Sequence, residues 1–103
     1  MVLSADLAIP CGLIANELIT NAFKHAFPGG RGRIGVAFTQ REDQLVLRVT
    51  DDGVGLPSGF DLASLTSLGL QLVQTLSEQI GGALGVERGE PGVAFSVTFK
   101  ASN

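Results

Sequence analysis

The chain has 103 residues, enough for one domain, with 45 % hydrophobic residues, a mean hydropathy of +0.33 and a net charge of −3. No basic cluster exists and no run approaches the ~18 apolar residues of a membrane span, so neither nucleic acid nor direct membrane insertion is expected. Asp6 and Pro10 interrupt the only early apolar stretch, so no secretory signal is visible. The single cysteine, Cys11, rules out an internal disulfide and fits a reducing, cytoplasmic setting, most simply as a small buried hydrophobe.

Val2-Leu3-Ser4 reads as the end of a strand, with Ser4 or Asp6 capping the helix that follows and Pro10 best placed in its first turn. That helix is expected from roughly Ala8 or Gly12 to Phe27, where Pro28-Gly29-Gly30 cannot continue it. At about 100° per residue, Ala15, Leu18, Ile19, Ala22 and Ala26 share an arc for a core. Glu17, Asn21, Lys24 and His25 form a second stripe, read as roughly opposite, that stacks an acid, a carboxamide, an amine and an imidazole. Taken alone, such a column is an ordinary solvated face.

Arg33 to Thr39 and Gln44 to Thr50 read as an antiparallel hairpin across a polar turn, closed by Asp51-Asp-Gly-Val-Gly55. Ser58 to Ser67 reads as a loop with one helical turn at Asp61 to Ser64. Leu68 to Ile80 is a second amphipathic helix, with Leu72, Val73, Leu76 and Ile80 inward and Gly81-Gly82 as its stop. Ala83 to Arg88 and Val93 to Lys100 form a last hairpin. Two helices and four strands in this order predict an α+β two-layer sandwich.

Three glycine-bearing segments sit at the junctions. Asp51 ends a strand, and no returning strand follows at once. A carboxylate there, followed by Gly53 and Gly55, suits a planar ligand with an exocyclic amine, because a buried acceptor without a donor costs about 1–3 kcal/mol. Ser67-Leu-Gly-Leu70 opens a helix, where unpaired N–H groups favour anions and Gly69 lets the backbone come close. Gly92-Val-Ala-Phe95 opens the last strand and reads first as structure. Each segment alone has a structural explanation.

Their order is more specific. Glu-x-x-x-Asn-x-x-Lys-His, then Asp-x-Gly-x-Gly, then Leu-Gly-Leu, then Gly-x-x-Phe resembles the ATP-binding domain of sensor histidine kinases. These domains belong to the GHKL superfamily and have the Bergerat α/β-sandwich fold. The likeness covers nearly the whole chain, and the short interval between Pro57 and Leu68 matches the short-lid class.

The resemblance implies that Asp51 accepts from the adenine amino group, with Gly53 and Gly55 shaping that pocket. Asn21 would hold Mg²⁺ through its carboxamide oxygen and Lys24 would meet phosphate oxygens. His25 would line the nucleotide, and the backbone at Ser67, Leu68, Gly69 and Leu70 would cover the phosphates. Glu17 aligns with the general base of hydrolytic relatives; in a kinase it would orient or polarise the acceptor imidazole. That histidine belongs to a separate dimerisation segment, expected before Met1, with a response regulator downstream. The chain then reads as one domain, residues 1–103, truncated at its N-terminus relative to its parent. Its shortened sheet is expected to leave an open edge or to pair with another copy. Alternatives are an anti-sigma-type serine/threonine kinase of the same fold and a degenerate scaffold domain. Two departures from the family pattern stand out: Val93 replaces a frequent threonine, and Ser67 a common glycine.

Overall fold

The computed structural model describes residues 3–25, 32–53, 68–89 and 92–100; the side chains of Lys24, His25 and Leu68 lie outside that description. The expected helix end at Phe27, the turn at Asp61 to Ser64 and the loop from Ser58 to Ser67 fall outside it as well.

Helix α1 (Ala5–His25) starts earlier than the sequence suggested. The Ser4 carbonyl accepts from Leu7 N at 3.1 Å and Ala8 N at 2.8 Å, so the chain is helical by residue 5 and Leu3-Ser4 is not strand. Pro10 therefore lies in the second turn, where its missing N–H removes the bond to the Asp6 carbonyl. The helix tolerates that loss because Leu7 and Cys11, on either side of the proline, are both buried in the core.

Strands β1 (Ile34–Arg41) and β2 (Gln44–Asp51) form the first hairpin, and β3 (Ala83–Arg88) and β4 (Val93–Lys100) the second. All pairs are antiparallel and the sheet order is β1-β2-β4-β3, which puts β2 in the interior with Asp51 facing Ile34 on one side and Val93 on the other. Among the described residues β1 and β3 are the sheet edges.

Alternation decides what faces the helices. Leu45, Leu47 and Val49 of β2 and Val93, Phe95, Val97 and Phe99 of β4 are buried against Leu7, Cys11, Ile14 and Leu18 of α1 and Leu70, Val73 and Leu76 of α2 (Leu68–Gln79). Phe38 meets Phe99 edge-on, with ring centroids 6.1 Å apart. On the open face the small residues Ala94 and Ser96 let Arg48 of β2 reach over β4 to Glu87 of β3, at 3.7 Å. Both partners are exposed, and such pairs add little.

Helix α2 ends in a Schellman motif. Gly82 N donates to the Ser77 carbonyl at 2.8 Å and Gly81 N to the Glu78 carbonyl at 3.0 Å, with Gly81 left-handed at φ 72°. Its buried stripe is Leu70, Val73, Leu76 and Ser77, with Ile80 packed at the end. Leu72, expected inward, is 41 % exposed because it stands about a quarter-turn from the centre of that stripe. Ser77, inside the core, is satisfied by donating to the Val73 carbonyl at 2.7 Å. No helix among the described residues is long and apolar enough to cross a membrane.

Candidate functional site

The strand alternation that buries Leu45, Leu47 and Val49 continues to Asp51, so its carboxylate leaves the sheet on the helix side, at the end of the central strand. Asp51 Oδ1 accepts the Gly53 N–H at 2.9 Å. A carboxylate has about four acceptor positions, so this bond leaves capacity for an incoming donor. Gly92, left-handed at φ 93°, lies against it: a β-carbon there would overlap the Asp51 carbonyl oxygen and stand 3.0 Å from Oδ1. A side chain at position 92 would therefore force the Asp51 main chain to move.

The helices bring a second acid to the same end of the molecule. At the C-terminal end of α2, a β-carbon on Gly82 would lie 2.7 Å from the Thr98 carbonyl, so that end packs on the part of β4 farthest from Asp51. The N-terminal end, Leu68-Gly69, is thereby directed toward the Asp51 end. There it meets Glu17, whose Oε2 stands 2.7 Å from where a Gly69 β-carbon would be. Glu17, in the later half of α1, thus comes with the start of α2 to the strand end that carries Asp51, and Asn21 follows it one turn on.

Glu17 and Asn21 are half-buried, and the stripe they begin is not opposite the core. The core line of α1 is Leu7, Cys11, Ile14, Leu18 and Ala22, and Glu17 and Asn21 stand about 60° to 100° from it, flanking the packed face. The truly opposite face carries Ile9, Leu13, Asn16 and Phe23, with Ile9 65 % and Phe23 67 % exposed. That position leaves two polar side chains partly exposed at the edge of a packed helix. Glu17 and Asn21 offer oxygen donors one turn apart. No cluster of three His, Cys, Asp or Glu lies among the described residues, so a hard cation here would take most of its oxygens from a ligand and water.

Of the residues singled out in the sequence, Glu17, Asn21, Asp51, Gly53, Gly69 and Leu70 lie at this end. Leu70 turns its side chain into the core, so only its backbone can face a ligand. Gly55 and Ser67, and the side chains of Lys24, His25 and Leu68, lie outside the described residues. Val93 is buried and is the register partner of Asp51, so it supplies packing where a threonine would supply a hydroxyl. Asp52 and the seat at Gly92 were not assigned a site role from the sequence. The available signal was register: the row Arg33, Asp52, Gly92 directly extends the row Ile34, Asp51, Val93.

The sequence profile of the histidine kinase-, DNA gyrase B- and HSP90-like ATPases matches residues 8–103. The chain belongs to this ATPase family. It is 40 % identical over 88 residues to the sensor histidine kinase PdtaS of Mycobacterium tuberculosis, a match covering 82 % of the chain and 18 % of that protein. The blue-light activated histidine kinase EL346 of Erythrobacter litoralis has the same fold, with a TM-score of 0.88 at 30 % identity, over 97 % of this chain and 32 % of that one. The histidine kinase AdeS of Acinetobacter baumannii shares the fold alone, with a TM-score of 0.76 at 20 % identity over 91 % of this chain and 47 % of its own. The chain thus spans less than a third of the length of the first two relatives.

Proposed function

We propose that residues 1–103 form the ATP-binding catalytic unit of a longer, cytoplasmic sensor histidine kinase region, passing the γ-phosphoryl group of ATP to a histidine on a separate dimerisation domain. A response regulator would receive the phosphoryl group afterwards. The observation that carries this reading is the carboxylate of Asp51, at the end of a buried central strand and seated against Gly92 on the side where Glu17 meets Gly69.

Asp51 accepts from the adenine amino group, while Gly53, Gly55 and Gly92 keep side chains clear of the ring plane. The first-turn amides of α2 at Leu68 and Gly69, which have no acceptor inside the helix, face the phosphates together with Ser67 and Leu70. Lys24 adds a point charge and His25 lines the nucleotide. The Asn21 carboxamide would hold Mg²⁺, and the bound ion would neutralise charge on the phosphate oxygens. Glu17 holds the acceptor imidazole in line and takes its N–H proton as the P–N bond forms and the P–O bond to ADP breaks. Positioning and charge neutralisation supply the rate.

Titration calorimetry with a non-hydrolysable ATP analogue and Mg²⁺ tests the reading. The expected result is saturable binding that Asp51→Asn abolishes. A folded domain giving neither heat nor a thermal shift defeats it. An acid-stable phosphoprotein product, in place of acid-labile phosphohistidine, moves the assignment to a serine/threonine kinase.

A further inference from the structure

We propose that Asp52 is a positioning residue for Asp51, using its side chain in place of its own carbonyl to end the β1–β2 ladder at a fixed point. This rests on the ATP-binding reading above.

Residues 33 and 52 form the next antiparallel pair beyond Ile34 and Asp51. In an ordinary hydrogen-bonded pair each residue gives its N–H to the other's carbonyl. One half of that exchange is present: Asp52 N donates to the Arg33 carbonyl at 3.2 Å. The other half is replaced, because the Arg33 N–H goes to Asp52 Oδ1 at 2.7 Å. This charge-assisted bond is the shorter of the two.

The substitution frees the Asp52 carbonyl from the ladder, so the chain can leave the sheet at Asp52-Gly53 without stranding the Arg33 N–H. The departure point determines where Gly53 N falls, and Gly53 N is the donor that orients Asp51 Oδ1. On the other side Gly92 presses against the Asp51 backbone and leaves no room for it to shift that way. Asp51 is thus held between a glycine seat and a side-chain clamp, and the clamp acts through the backbone without touching the ligand.

Asp52→Ala removes the acceptor, whereas Asp52→Asn keeps an oxygen at Oδ1 and removes only the charge. Amide hydrogen exchange reads the clamp without nucleotide, and titration with ATP and with inosine triphosphate reads its consequence. Inosine triphosphate lacks the amino group that Asp51 would accept from. The expected result for Asp52→Ala is faster exchange at Arg33 and Gly53, with core amides such as Leu47 and Val97 unchanged. The preference for ATP over inosine triphosphate should fall about threefold to tenfold, the range for one lost bond of this kind. Asp52→Asn should restore both to within about twofold of the parent, the size expected when only the charge assistance is lost. The proposal is overturned if Asp52→Ala leaves exchange at Gly53 or the nucleotide preference unchanged, or if Asp52→Asn is as impaired as alanine. Should the parent bind neither nucleotide, the ATP reading fails, and unchanged exchange at Gly53 in Asp52→Ala still refutes the clamp.

Discussion

Gly92 is the seat of Asp51: in its left-handed conformation it brings its Cα against the Asp51 backbone, where any β-carbon would overlap the carbonyl oxygen. The clash is with main chain, which cannot swing aside as a side-chain end can. Gly92→Ala is therefore expected to displace the end of β2 and lose about 2 kcal/mol or more of stability, combining the φ penalty with the overlap. Nucleotide binding should fall with it. Chemical denaturation and calorimetry on the same sample check both, and an alanine variant that binds as the parent does would remove Gly92 from this role.

Gly69 meets a different kind of neighbour. The atom opposing a β-carbon there is Glu17 Oε2, the far end of a side chain that can rotate away. Gly69→Ala should accordingly be close to neutral for folding, and alanine's better helix propensity offsets part of any strain. Its expected cost falls on the position of Glu17. If Glu17 orients the acceptor, phosphoryl transfer to a supplied histidine domain drops by tenfold or more while ATP affinity changes about threefold or less. Equal losses in both would show instead that Gly69 serves nucleotide binding alone.

The contrast between these glycines shows what the sequence could reveal. Strand alternation in Leu45, Leu47, Val49 and Asp51 is local, so the carboxylate's direction could be read from the chain by counting. The left-handed stop at Gly81 was readable for the same reason. The meeting of Glu17 with Gly69 was not, because it depends on how two helices far apart in sequence cross over one sheet. The sequence suggests a later start for α1 because Pro10 reads as a first-turn residue, although the burial of Leu7 and Cys11 carries the helix through it. Grouping the polar residues of α1 made their stripe look opposite the core. Centring the helix on Leu7, Cys11, Ile14 and Leu18 shows that its outer face carries Ile9, Leu13 and Phe23 beside Asn16.

That outer face yields a paired test. Leu18 is fully buried among core side chains, while Leu13, five residues earlier on the same helix, is 48 % exposed. Leu18→Ala is expected to cost about 2–5 kcal/mol through lost burial and a residual cavity. Leu13→Ala should stay within about 0.5 kcal/mol, since alanine is the better helix former and little buried area is lost. Urea denaturation of the two variants distinguishes them. A large loss at Leu13 would mean that the outer face of α1 is covered in the protein as it folds.

Cys11 supplies a pH prediction with a definite sign. Burial among apolar side chains pushes its thiol up, because the thiolate is the form that loses hydration. The unfolded chain deprotonates first as pH rises, near the ordinary thiol value of about 8.5, while the folded chain keeps its proton. Above that pH the folded state binds more protons than the unfolded state, so the slope of unfolding free energy against pH is negative. This contribution to stability is fully present below the unfolded pKa and is lost as pH rises from there toward the higher folded value. Cys11→Ala should flatten the decline in this window, at the cost of some packing. The parent's thiol should react with an alkylating reagent only as fast as the domain opens, so stabilising the fold with bound nucleotide should slow the reaction. A thiol that alkylates at the free-cysteine rate in the folded protein would place Cys11 outside the core and remove the pH effect with it.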